Sequence, residues 1–138
     1  MERPITSPHE IRNPETLPPP IGFSHAVVAQ TGRTVYLAGQ TAQRRDGSIV
    51  AGTMAEQFDV AAGNVVLALE AAGARPQDLV SMQIFVTDIA EYQRSSKEIG
   101  AAYRQHFGRH YPAIALLEVK RLFDPKATVE LMGIAVTA

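Results

Sequence analysis

The sequence predicts an α+β sandwich: two helices packed on one face of a mixed sheet. Two amphipathic helical runs, one of them with clear start and stop signals, are embedded in short β-branched and aromatic runs. The resulting order is β-β-α-β-α-β-β, which places the helices together against one side of a sheet. At 138 residues, with 46% hydrophobic and 20% charged content, the chain suits one soluble domain with its own core.

Each element has a local reason. Residues 1–20, "MERPITSPHEIRNPETLPPP", carry scattered prolines that disfavour helix, so they read as an N-terminal arm, either a free tail or a packed segment. Residues 21–138 form the single domain. "HAVVAQ" and "TVYLAGQ", joined by Thr31-Gly32, read as a hairpin. Thr53 and Glu56 have capping-box spacing, and Phe58, Ala62, Val65, Leu69 and Ala72 recur along one helical face. Gly73 stands where a left-handed C-cap is wanted. "LVSMQIFVT" is the next strand. "EYQRSSKEIGAAYRQHF" is a second helix, with Tyr92, Ile99, Tyr103 and Phe107 near one face, Gly100 weakening it locally and Gly108 ending it. The last strands are "AIALLEV" and "ATVELMGIAV", separated by a turn containing Asp124-Pro125.

Strand alternation then makes a prediction about assembly. In the last strand Val129, Leu131, Gly133 and Ala135 point one way, and Glu130, Met132, Ile134 and Val136 the other. Ile114, Leu116 and Glu118 alternate with Ala113, Ala115, Leu117 and Val119. Both faces are largely apolar, and two helices cover only one. A homo-oligomer that buries the second face is expected.

Composition excludes several functions. A net charge of −1 gives no reason to expect nucleic acid or an anionic membrane as partner. With no cysteine there is no disulfide, thiolate nucleophile or cysteine metal site. No apolar run reaches about 18 residues and no leader pattern is present, so cytoplasm is the expected compartment. Glycine-rich phosphate cradles, nucleophile elbows and zinc-protease helices are missing. His106 and His110 have the spacing of a helical metal pair, but Gly108 ends the helix between them and no third ligand is evident; no metal is expected. His25 reads as a surface residue. Glu130, between Val129 and Leu131, is either half of a structural salt bridge or a site carboxylate, because an unpaired buried charge is costly. For Glu118 the structural reading is preferred.

In order and spacing, the segments "IGFSHAV", "VYLAGQ", "EQFDVAAGNVVLALEAAGARPQDLV", "FVTDIAEY", "YRQHFGRHYPA" and "LEVKRL…VELMGIAV" resemble the RidA/YjgF family, also called L-PSP endoribonuclease-like, over residues 17–137. The resemblance implies a chorismate-mutase-like fold, a homotrimer and small-molecule clefts between subunits. It implies hydrolysis of 2-imino acids or their enamine tautomers to 2-keto acids and ammonia, with no cofactor and no metal.

Residue by residue, the resemblance assigns the catalytic, water-positioning glutamate to Glu130. The substrate-binding positions fall on Phe23, Ala38, Gly39, Ile114 and Leu116. Several of these have turned apolar. Where the family reads Pro-Ala-Arg, with the arginine gripping a carboxylate, this chain reads Pro112-Ala113-Ile114, and isoleucine cannot replace a bidentate fork. The family's tyrosine corresponds to Phe23, its serine to Ala38 before Gly39-Gln40, and its cysteine to Leu116. The asparagine on the second helix has no clear match.

Two functions remain in view. One is a divergent imine or enamine hydrolase that uses Glu130 on a ligand other than the usual 2-imino acids, with backbone donors near Gly39 holding it. The other is a non-catalytic trimer that binds a small metabolite as sensor or carrier. A ribonuclease is disfavoured by neutral charge and by the absence of an acid–base histidine pair.

Overall fold

The computed structural model describes residues 6–138. In chain order the elements are β1 (Glu10–Arg12), β2 (Ala26–Val28), β3 (Arg33–Gln40), α1 (Met54–Ala71), a 3-10 turn (Pro76–Asp78) and β4 (Leu79–Val86). There follow α2 (Ile89–Arg94), α3 (Ser96–Phe107), β5 (Ala113–Glu118) and β6 (Val129–Thr137). The main sheet has the order β3-β6-β4-β5, with β4 and β5 parallel and the other pairs antiparallel. This is the α+β architecture, with α1 and α3 packed on one face.

Helix α1 starts where its capping residues require. Thr53 accepts from the Glu56 N–H and Glu56 reaches back to the Thr53 N–H, so two orphan donors are satisfied. It stops at Gly73, whose φ of 75° is disfavoured for other residues. Met54, Phe58, Ala61, Ala62, Val65 and Leu69 are buried against the sheet. Ala72, expected on that face, is instead the exposed C-cap residue. His106 on α3 crosses to Asp59 on α1 at 2.6 Å and ties the two helices together.

The second helical run is broken. α2 begins at Ile89, with Asp88 as N-cap accepting from the Glu91 N–H at 3.0 Å. It ends at Ser95, where two serines in a row weaken helix propagation, and α3 starts afresh at Ser96. Ile99, Ala102, Tyr103 and Phe107 form its buried face.

The expected β2–β3 hairpin does not form. β2 pairs with β1 from the N-terminal arm, and β3 pairs with β6. A two-residue hairpin turn needs positive φ at one or both central residues, and neither Thr31 nor Gly32 has it. The described part of the arm therefore packs on the domain; residues 1–5 lie outside the described residues. His9 fixes it. Its Nδ1 accepts from the Gln30 N–H at 3.1 Å, which leaves Nε2–H to donate to the carbonyls of Asp78 and Val136 at 3.0 and 2.9 Å.

The core lies between the helices and the sheet. Leu79, Met82, Ile84 and Val86 of β4 and Val129, Leu131 and Ala135 of β6 line it. The opposite face is less uniformly apolar than expected. Tyr36, Met132, Ile134, Phe85 and Leu117 share it with Thr34, Ser81, Gln83 and Glu130. A small second cluster of Ala42, Ile49, Leu122 and Ala127 touches Phe85 and covers part of it. Tyr36, Met132 and Leu117 remain exposed.

Candidate functional site

The sequence-assigned residues fall into two groups, on different faces and edges of the sheet. The first group is Ala38, Gly39 and Glu130. Leu37 pairs with Gly133 and Gln40 with Leu131, so Ala38 and Gly39 together oppose Met132 in a β-bulge. The bulge brings Gly39 against the Glu130 side chain, and a β-carbon at position 39 would overlap the Glu130 carboxylate. Any side chain at position 39 would force the carboxylate to move from there. Glu130 is half-buried on the face away from the helices. Among the described residues its carboxylate has no hydrogen-bonding or ion-pairing partner, so the salt-bridge reading finds none to support it.

Glu118 differs. Its Oε1 accepts from the Ile89 N–H at 3.0 Å and holds the start of α2. That role is structural.

The second group is Phe23, Ile114 and Leu116, at the β5 edge. Ile114 pairs with Met82 and Leu116 with Ile84, both on the helix side of the sheet, and Ile114 packs against the main core. Ser24 continues the edge: its N–H donates to the Pro112 carbonyl and its hydroxyl to the Tyr111 carbonyl. This leaves Phe23 and Ile114 beside one shallow depression of about 260 Å³. Leu116 is about 40% exposed at the outer edge.

Ile114 also lines a deeper cavity of about 330 Å³ between β5 and the α2–α3 pair. Its other walls include Tyr92, Ser96, Gly100, Tyr103, Arg104 and Tyr111. Tyr103 and Tyr111 stack with ring centroids 5.0 Å apart and planes within 6°. The Tyr103 hydroxyl donates to the His110 carbonyl at 2.6 Å. Burial raises the Tyr103 and Tyr92 phenols above their ordinary range, so both stay protonated at neutral pH. These helix residues were not assigned from the sequence. Their signal was the Gly100/Arg104 pair, four residues apart on one helical face, which becomes meaningful only once β5 is seen opposite.

The histidines are engaged elsewhere. His110 Nε2 donates to the Leu79 carbonyl at 2.7 Å, and burial holds its imidazole below its ordinary value. His106 is held by Asp59, so the two rings of the candidate metal pair have separate partners. His25 Nε2 reaches the Pro18 carbonyl at 2.8 Å, and its ring meets Phe23 edge-on. Among the described residues no helix is long and apolar enough to cross a membrane.

Comparison with known proteins agrees with this architecture. The family model described as Endoribonuclease L-PSP matches residues 15–137. A 2-iminobutanoate/2-iminopropanoate deaminase of Dermatophagoides farinae is 33% identical over 133 residues, covering 94% of this chain and 98% of the relative. A RutC family protein of Pyrococcus abyssi is 32% identical over 124 residues, covering 88% and 91%. Among solved structures, the Rid family protein YyfB of Yersinia pestis superposes with a TM-score of 0.81 at 33% identity, covering 94% of this chain and 98% of the other. The YjgF gene product of E. coli gives 0.67 at 26% identity, covering 94% and 99%. The chain belongs to the endoribonuclease L-PSP family, that of the RidA/YjgF proteins.

Proposed function

We propose that the protein is a homotrimeric, cofactor-free imine or enamine hydrolase whose reaction site is a cleft shared by two subunits. One subunit supplies Glu130, Gly39 and Ala38; its neighbour supplies the β5 edge with Phe23, Ile114 and Leu116. The observation that carries this reading is the free carboxylate of Glu130, half-buried against Gly39 and turned away from the helices. A charge kept partly buried without a partner costs stability. A ligand and its water give it a partner.

The chemistry needs little else. Glu130 accepts a proton from water as the oxygen attacks the imine carbon, which forms a carbinolamine. That proton passes to the imine nitrogen, completing the carbinolamine, and Glu130 then carries the hydroxyl proton to the amine as the C–N bond breaks, releasing ammonia and a carbonyl product. Backbone groups at the Ala38–Gly39 bulge lie beside Glu130 to orient the reacting atoms. Relatives named as 2-iminobutanoate/2-iminopropanoate deaminases support the reaction class. Ile114, where the family resemblance implies a carboxylate-gripping arginine, points to a ligand other than the small 2-imino acids. The same apolar wall favours the competing reading, a metabolite-binding trimer without catalysis.

The experiment is hydrolysis of a panel of imines, generated by an amino-acid oxidase from amino acids with small and bulky side chains. Wild type should accelerate at least one member above buffer, and Glu130→Gln should lose that acceleration without a fall in melting temperature. No acceleration of any imine, or full activity in Glu130→Gln, would overturn the enzyme reading.

A further inference from the structure

The cavity between β5 and the α2–α3 pair has one of its walls formed by the cation of Arg104. Arg104 is exposed on α3, and among the described residues its guanidinium has no hydrogen-bond acceptor or ion-pair partner. It does not simply extend into solvent. A β-carbon at Gly100 would lie 3.3 Å from Arg104 Nη1, so the side chain folds back over Gly100 along the cavity wall. Glycine in a helix interior is unfavourable relative to alanine. Here its missing side chain opens the wall and gives the guanidinium a place to lie.

The rest of the cavity suits the body of a ligand. Tyr111, stacked on Tyr103, and Ile114 form apolar walls, while Tyr92 and Ser96 offer hydroxyls with no partner among the described residues. At about 330 Å³ the cavity is at the small end of the usual range for small-molecule sites. A planar fork of donors beside an aromatic pocket matches an anion with a flat or bulky apolar substituent.

We propose that Arg104 is a specificity-determining residue that binds the carboxylate of an aryl- or bulky alkyl-substituted acid in this cavity. It rests on the reading of the cleft beside Ile114 as the ligand site, and it names that ligand's class. Because the cation comes from α3 and not from β5, the carboxylate lies across the cavity from Ile114. A molecule without a substantial body then leaves the aromatic walls unused.

Calorimetric titration with phenylacetate, phenylacetamide and acetate tests this directly. Wild type should bind phenylacetate about tenfold or more tightly than the isosteric neutral amide, as expected for a charge-assisted contact, and acetate more weakly still. Arg104→Met, an exposed helix substitution, should keep the melting temperature and bind acid and amide alike. Equal binding of acid and amide by wild type, an undiminished preference in Arg104→Met, acetate bound as tightly as phenylacetate, or binding of neither aromatic compound would each overturn the proposal. Glu130→Gln removes a like charge from the shared cleft and should bind the acid over the amide at least as selectively as wild type. If it does while hydrolysis is lost, both readings stand. If Arg104→Met changes nothing while Glu130→Gln still abolishes hydrolysis, only the carboxylate assignment fails.

Discussion

Ile114 and Glu130 lie on opposite faces of the sheet, on strands separated by β4. Ile114 pairs with Met82, whose side chain is fully buried under the helices, whereas Glu130 pairs with Phe85 on the other face. A one-residue offset in a strand reverses the side-chain direction, and these partners are three residues apart. A single chain therefore cannot bring the two positions together across one cavity. The proposed shared cleft requires a second copy to bring its β5 edge to this face.

Tyr36, Met132 and Leu117 are exposed on the face away from the helices, beside Glu130. Sedimentation equilibrium at micromolar concentration should give the mass of a trimer. A well-folded monomer there would contradict the shared cleft.

Small 2-imino acids should be poor substrates. The absence of a bidentate arginine at position 114 removes roughly 2–5 kcal/mol of transition-state binding, about one and a half to nearly four decades in rate. A small ligand cannot recover it from Arg104 without a body that fills the aromatic walls. Imines formed from alanine or 2-aminobutanoate should be hydrolysed slowly relative to those from aromatic amino acids. Equal rates across the panel would mean that side-chain bulk is not what the cavity recognises.

Restoring the fork tests where Ile114 points. Ile114→Arg should gain pyruvate binding, measured by calorimetry, that wild type lacks. The new charge has Arg104 in the same cavity, and Glu130 can pair with it only from a neighbouring chain. A folded variant that binds pyruvate no better than wild type would place residue 114 outside the ligand site.

Stability should fall in mild acid through His110. Burial holds its imidazole below the ordinary value of 6.5; nearby His9 lowers it further, while the Leu79 carbonyl and Asp78 act the other way. In the window just below pH 6.5 the unfolded chain binds more protons at this position than the folded one. The contribution is therefore present above that pH and is lost as pH falls toward the folded value. Melting temperature should drop between about pH 7 and 5, and His110→Gln should flatten the slope. Identical slopes would assign the acid sensitivity to other groups.

Much of the fold is written locally. Thr53, Glu56 and Gly73 delimit α1 by hydrogen bonds and a positive φ that involve only near neighbours. Asp88 with Glu91 was an equally local signal for the start of α2, hidden because the run from Glu91 to Phe107 looked continuous. The partner of β2 was not local. His9 had to reach the Asp78 and Val136 carbonyls before the arm could offer β1 as a strand. The site shows the same division. Glu130 stands out as a charge between Val129 and Leu131, and Gly39 acquires its meaning from the carboxylate beside it. Arg104 looks like any solvated helix residue until β5 is placed across from Gly100 and Tyr103.

Mixing of subunits tests the shared site most directly. Glu130→Gln should disable one half of the proposed site, and Gly100→Leu, which projects a side chain into the cavity, the other. Each homotrimer should be inactive on the imine that wild type hydrolyses fastest. Unfolded together in equal amounts and refolded, they should recover activity at about one quarter of the sites, those where an intact Glu130 meets an intact cavity from the neighbouring chain. No recovery, with trimers of normal mass and mixed composition, would mean that Glu130 and the cavity do not act together across a subunit boundary.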